Sequence, residues 1–132
     1  MPAKVLIVED EMMIAIELEM ILGDLGLDPV GVAPDLATAD SYIGQPIDLA
    51  LVDLNLRDGL TGPEIGKRLS AKGVTVLFIT ANPRLLGDGV AGTIGVLTKP
   101  TDSESVKAAV DYALGVRKGT KARPPAALRL FG

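Results

Sequence analysis

Five short aliphatic runs constrain the fold more than any other feature of the chain: Lys4–Val8, Pro29–Ala33, Leu49–Val52, Val74–Ile79 and Thr93–Leu97. Each is rich in Val, Ile or Leu and shows little polar alternation. A strand with one wet face alternates. A strand buried on both faces does not, and sheets covered on both faces are parallel. Helical patterns fill the gaps. Ile14, Leu18, Ile21, Leu22 and Leu25 mark one face of a helix, and Gly26 follows where a C-terminal cap belongs. Leu36, Ala39 and Ile43 give a short second helix that starts near Asp35 and ends near Gly44. Thr61–Glu64 has capping-box spacing ahead of Ile65 and Leu69. Thr101–Glu104 has the same spacing ahead of Val106, Ala109, Val110, Ala113 and Leu114.

Strand and helix therefore alternate. That order predicts a parallel sheet of five strands with helices on both faces. Right-handed crossovers make it a doubly wound α/β sandwich of flavodoxin type, (βα)5, with strand order 2-1-3-4-5. One stretch fits poorly. Ala81–Gly92 holds Asn82, Pro83, Gly87, Gly89 and Gly92, and glycine and proline both disfavour helix. The fourth helix is expected to be short or irregular, with Pro83–Leu86 its one helical turn.

Charge divides the chain. Up to Leu114 there are 17 acids and 8 bases, a net of −9. From Gly115 to Gly132 there are five bases and no acid. Residues 1–114 are expected to form the domain. Residues 115–132, with Gly115, Gly119, Pro124 and Pro125, are expected to be a helix end and a flexible basic extension. The overall charge of −4 does not suggest a direct nucleic-acid binder. No signal peptide is evident, and no apolar run approaches the roughly 20 residues of a membrane span. The expectation is a cytoplasmic protein with no membrane contact.

The chain has neither cysteine nor histidine. Thiolate catalysis, Ser-His pairs and His- or Cys-ligated zinc are excluded. A metal site must use oxygen ligands, which favours Mg²⁺ or Ca²⁺.

Ligands of open α/β sheets bind beyond the carboxyl ends of the strands. There the first run presents Glu9, Asp10 and Glu11, and the third presents Asp53 with Asn55 close behind. The fourth presents Thr80, and the fifth Lys99 and Pro100. Carboxylates gathered in one crevice repel one another, and a divalent cation removes that cost. Mg²⁺ needs only a few protein oxygens, so its other positions can take phosphoryl oxygens. Lys99 can neutralise a transferred group, Thr80 can donate a hydrogen bond to it, and Asp53 can attack phosphorus to give an acyl phosphate. Each residue alone has a plainer reading. The acids could favour a helix N-terminus, Asp53 and Thr80 could end strands, and Lys99-Pro100 could open a loop. Their conjunction at four strand ends is what points to one reaction.

These residues resemble the receiver domain of two-component response regulators, over roughly Lys4 to Leu114. Val5–Glu11 is similar to that family's first strand and acidic cluster, and Leu51–Leu54 to its phosphoacceptor strand. Thr80-Ala81 is similar to its hydroxyl and small-residue pair, and Leu97–Pro100 to its Lys-Pro motif. The resemblance implies phosphorylation of Asp53 by a sensor histidine kinase or a phosphotransfer protein. It implies Mg²⁺ on Asp10, Asp53 and the Asn55 carbonyl, with Glu9 acting through water. It also implies a cis Lys99–Pro100 bond. Such a protein is a switch that assists its own phosphorylation and dephosphorylation, not an enzyme. It acts on a downstream protein target, and a homodimer is compatible with this reading.

One departure is evident. The family's switch pairs the hydroxyl of Thr80 with an aromatic residue three positions before the lysine, and here that position is Val96. Phe78–Leu86 also resembles an alphaproteobacterial receiver subgroup with a Phe-x-Thr motif and an irregular fourth helix. The chain looks like a stand-alone or excised receiver. With Val96 in place of a ring, the signal is expected to pass from Thr80 into Ala81–Gly92 and to order that loop.

Rival readings meet specific obstacles. A haloacid-dehalogenase-like phosphatase expects a second Asp two residues after its nucleophile, and Met12 stands two after Asp10. A flavodoxin-like flavin carrier needs a phosphate loop after the first strand, where Glu9–Glu11 would repel it. A phosphorylation-independent interaction module would have no use for Asp10, Asp53, Thr80 and Lys99 together.

Overall fold

The computed structural model describes residues 2–131. The elements run β1 (Lys4–Val8), α1 (Met12–Asp24), β2 (Asp28–Ala33), α2 (Leu36–Tyr42), β3 (Leu49–Val52), α3 (Gly62–Ala71) and β4 (Thr75–Thr80). A 3₁₀ turn (Pro83–Leu86), β5 (Gly95–Thr98), α4 (Ser103–Arg117) and β6 (Leu128–Leu130) follow. The sheet order is β2-β1-β3-β4-β5-β6, and every pairing from β2 to β5 is parallel. The flavodoxin-like core and the 2-1-3-4-5 order agree with the sequence reading.

The strands lack alternation because both faces are covered. Leu6, Val8, Ala50, Val52, Val76, Phe78 and Val96 point into one layer, with Ala39 of α2 and Ile65 and Leu69 of α3. Val5, Ile7, Leu49, Leu51, Leu77, Ile79 and Leu97 point into the other. There they meet Ala15, Leu18 and Leu22 of α1 and Val106, Ala109, Val110 and Ala113 of α4. Full burial of one such side chain contributes about 1.5–3 kcal/mol. The two layers hold the strand ends in register, and the polar residues beyond them inherit that register.

Three local expectations change. Neither capping box forms. Thr61 precedes α3, but its hydroxyl donates to Asp58 Oδ1 at 2.6 Å instead of capping the helix. Asp102, not Thr101, caps α4, accepting from the Ser105 amide at 2.7 Å. A carboxylate one residue closer to the helix reaches the free amide more directly than the threonine hydroxyl does. Asp35 caps α2 as its position suggests, accepting from the Thr38 amide at 2.9 Å.

The third change is the largest. α4 continues past Leu114 to Arg117, and where a flexible extension was expected after it residues 128–130 form a sixth strand. β6 pairs antiparallel with β5, with Val96 opposite Arg129. Leu128 is buried against the layer of α1 and α4, and Phe131 packs against the opposite layer. The alternation Leu128-Arg129-Leu130 was too short to stand out beside the prolines and basic residues before it.

The irregular fourth helix is observed as expected. Between β4 and β5 the only helical element among the described residues is the 3₁₀ turn.

Candidate functional site

β1 and β3 are neighbours, with Val8 beside Val52. The Asp53 amide donates to the Val8 carbonyl at 2.9 Å, and the Glu9 amide donates to the Ala33 carbonyl at 3.0 Å. These ladder bonds carry the sheet register into the first residues beyond it. They place Glu9, Asp10 and Asp53 so that one carboxylate oxygen from each lies within 4.8 Å of the others.

β4 and β5 supply the other side. The Lys99 amide donates to the Thr80 carbonyl at 2.8 Å. The Lys99 ammonium reaches back to donate to Glu9 Oε1 at 2.7 Å and Asp53 Oδ2 at 2.8 Å. The Lys99–Pro100 bond is cis. Asp53 Oδ1 accepts from the Leu54 amide at 2.7 Å. Glu9 Oε2 accepts from the amides of Asp10 at 3.1 Å and Glu11 at 3.2 Å.

The charges are unequal in environment. Glu9 is 2% exposed, and burial pushes its carboxyl up from the usual carboxylate range, although Lys99 and the Glu11 amide pull the other way. For Lys99 burial opposes the charged form, but the hydrogen bonds and charges of Asp53 and Glu9 outweigh it and raise its pKa. The ammonium is thus held charged between two carboxylates.

Thr80 is fully buried, and its hydroxyl accepts from the Asn82 amide at 3.1 Å. A cavity of about 500 Å³ brings Asp53, Asn55, Thr80 and Lys99 to one lining, with Ile14 and Leu18 of α1 at its side. The all-oxygen set of Glu9, Asp10 and Asp53, with Asn55 beside it, suits a hard divalent cation such as Mg²⁺. Val96 is apart from this group. It is buried beside Phe78 in the layer of α2 and α3.

The chain matches the response regulator receiver domain over residues 5–111. It belongs to that family. The PhyR regulator of Methylorubrum extorquens, described as phyllosphere-induced, is 32% identical over 127 residues, covering 93% of this chain and 48% of that protein. The receiver domain of Erythrobacter litoralis PhyR superposes with a TM-score of 0.79 at 31% identity, covering 92% of this chain and 97% of that one. PhyR of Bartonella quintana, described as an anti-anti-sigma factor, gives 0.73 at 30% identity over 90% of this chain and 50% of that one. This receiver thus spans about half the length of the curated relative it matches. The relatives agree with the alphaproteobacterial resemblance seen in Phe78–Leu86.

Several residues of this receiver's site escaped the sequence reading. A Cβ at Gly62 would lie 2.0 Å from the Asp53 carbonyl oxygen, so α3 can begin against the site only with glycine there. Arg57 pairs with Asp35 and ties the β3–α3 loop to the start of α2. Asp58 Oδ2 adds a second tie, accepting from the Leu36 amide at 3.0 Å. In the sequence Gly62 stood inside the Thr61–Glu64 capping pattern, and Arg57 and Asp58 were ordinary loop residues. Only the loop after Asp53, Leu54–Thr61, held a signal, in its density of charged and turn-forming side chains.

Proposed function

We propose that this receiver accepts a phosphoryl group on Asp53 in a Mg²⁺-dependent reaction within a two-component pathway. The observation that carries the reading is the Lys99 ammonium, 2.8 Å from Asp53 and 2.7 Å from Glu9, with Asp10 in the same carboxylate cluster. Asp10, Asp53 and the Asn55 carbonyl would hold Mg²⁺, with Glu9 acting through water. Bound there, the ion would offset the repulsion among the carboxylates and the charge on phosphoryl oxygens.

The chain's own residues then have distinct tasks. An Asp53 carboxylate oxygen forms a bond to phosphorus as the donor's phosphorus–nitrogen bond breaks, if the donor is a phosphohistidine. The acyl phosphate stays on Asp53 and the nitrogen leaves with its electron pair. Lys99 neutralises a phosphoryl oxygen, and Thr80 turns its hydroxyl from Asn82 to donate to another. The chain is a switch that assists gain and loss of its own phosphoryl group. It does not turn over a substrate.

A histidine kinase or phosphotransfer protein is the donor. α1 lines the cavity through Ile14, Glu17, Leu18 and Ile21, and away from that lining it exposes Met12, Met13, Ile16 and Met20, apolar side chains that a donor protein can cover. The output is a protein partner, reached through the movement of Thr80 and the adjoining Ala81–Gly92. No described helix is long and apolar enough to cross a membrane.

Incubation with acetyl phosphate and Mg²⁺, followed by intact-mass measurement, tests the reading. Wild type should gain one phosphoryl mass and Asp53→Asn should gain none. Equal labelling of the two proteins would overturn the assignment.

A further inference from the structure

β6 does more than lengthen the sheet. Arg129 lies opposite Val96 and extends its guanidinium over the loop between β4 and β5. It donates to the Pro83 carbonyl at 3.4 Å, at the start of the 3₁₀ turn, and to the Gly87 carbonyl at 3.2 Å, just after the turn. Its guanidinium carbon also lies 5.3 Å from the centre of the Phe131 ring. The Phe131 amide donates to the Ile94 carbonyl at 3.0 Å. The ring lies 6.2 Å from that of Phe78, centre to centre.

Two glycines make this contact close. A Cβ at Gly95 would lie 2.3 Å from the Arg129 carbonyl oxygen. A Cβ at Gly89 would lie 2.5 Å from the Phe131 ring. Neither glycine serves the carboxylate cluster. Both fit a strand that lies directly on β5 and on the loop.

The loop held in this way begins at Thr80. The Thr80 hydroxyl is engaged by the Asn82 amide, and Asn82 adjoins the Pro83 carbonyl that Arg129 grips. Residues 121–127, which lead into β6, are nearly all exposed, so the strand is tethered to the body chiefly by its own contacts. Val96 supplies no ring to its layer, and Phe131, just beyond β6, brings one in.

We infer that residues 128–131 form a releasable strap. It holds Ala81–Gly92 in the arrangement that keeps the Thr80 hydroxyl on Asn82, and so acts as a brake on phosphorylation. The inference rests on the reading of Asp53 as phosphoacceptor for its consequence, but not for the contact between strap and loop. Turning Thr80 toward a phosphoryl oxygen breaks its bond to Asn82 and shifts the Pro83 carbonyl. Arg129 then loses an acceptor and β6 lifts from the β5 edge. Linkage is reciprocal: whatever factor the phosphoryl group takes from strap docking, strap docking takes from affinity for the phosphoryl group.

The test uses the full chain with Mg²⁺ and beryllofluoride as phosphoryl mimic, read by hydrogen exchange and by binding. Beryllofluoride should deprotect the amides of 128–131 in wild type. Arg129→Ala should raise exchange in 82–92 with no ligand present. It should also tighten beryllofluoride binding and speed phosphorylation by acetyl phosphate several-fold. Gly95→Ala, which displaces β6 by crowding the Arg129 backbone while keeping the Arg129 side chain, should do the same. The brake is overturned if phosphoryl mass accumulates on Asp53 at equal rates in wild type and both variants while 128–131 stay protected. If no protein gains phosphoryl mass, the phosphoacceptor reading fails and the brake fails with it. Exchange in 82–92 of Arg129→Ala then decides separately whether strap and loop are coupled.

Discussion

The Lys99 ammonium lies 2.8 Å from the Asp53 carboxylate across 46 residues of sequence, and the same nitrogen holds Glu9 at 2.7 Å. One cation thus keeps two carboxylates from different strands in place. Lys99→Met should preserve the packing of the stem and remove the charge. Phosphorylation by acetyl phosphate should slow by about 10²-fold, the usual effect of removing one preorganised charge-stabilising donor. The variant should also lose about 1–3 kcal/mol of stability by leaving Glu9 buried without its partner. Adding Glu9→Gln should recover part of that loss. Urea unfolding of the four proteins gives the coupling, and a purely additive pair would contradict the contact.

Asp10 stands in the same cluster but is exposed. Removing it should relieve repulsion as well as delete a metal ligand. Asp10→Ala should bind Mg²⁺ at least about tenfold more weakly, a loss of roughly 1.4 kcal/mol of binding. It should nevertheless unfold no earlier than wild type without metal. Thermal melts at increasing Mg²⁺ show both effects, because the variant should need about tenfold more metal than wild type for the same gain in stability. Equal gains would remove Asp10 from the site.

Gly62 and Gly66 both admit no Cβ, for different reasons. At Gly62 a Cβ meets the Asp53 carbonyl oxygen at 2.0 Å, and at Gly66 it meets the Phe78 ring at 2.5 Å. Each alanine substitution should cost about 1–3 kcal/mol by overpacking. Only Gly62→Ala should also slow phosphorylation of the folded protein, because the displaced atoms belong to the nucleophile's own backbone. Rates measured well below each variant's melting temperature separate the two cases.

The Asp35 carboxyl is held down to about 2 by the Thr38 hydrogen bond and by Arg57, against an ordinary 3.8. Because the folded value lies below the unfolded one, the unfolded chain binds more protons in that window. The contribution is complete above pH 3.8 and fades as pH falls toward 2. Asp35→Asn keeps a helix cap and removes the charge. Its urea midpoint should fall below wild type at neutral pH, and the two should converge through the acid window. A gap that stays constant down to pH 2 would assign the effect to something other than this charge.

Much of the fold was legible because its causes are local. Strands covered on both faces must be apolar throughout, so Val5–Val8 and Leu49–Val52 announced a parallel sheet without any partner in view. The glycines and proline of Ala81–Gly92 announced an irregular connection. Glu9, Asp10, Asp53, Asn55, Thr80 and Lys99 were legible as candidates because strand ends of such sheets converge.

Other features depended on contacts that no local pattern encodes. The Thr101–Glu104 spacing suggested a capping box, yet Asp102 took the amide because cap choice turns on the backbone dihedrals at one residue. Gly62 was only one residue of a capping pattern until α3 was laid against Asp53. Val96 was legible as the missing ring, but nothing beside it in sequence indicated that Phe131 would supply an aromatic to that layer.

The sequence by itself determined which residue types stand at the strand ends, and hence the charge and oxygen-donor chemistry the domain can perform. It did so because a strand's burial is written in its own side chains, and the polar residues that end such runs mark the carboxyl edge of the sheet where ligands bind. Only the tertiary structure decided that residues 128–131 complete the sheet. A strand of three residues carries too little apolar periodicity to declare itself. Its stability comes from the open edge of β5, the Gly95 and Gly89 backbones that admit it, and the Pro83 and Gly87 carbonyls that Arg129 finds there.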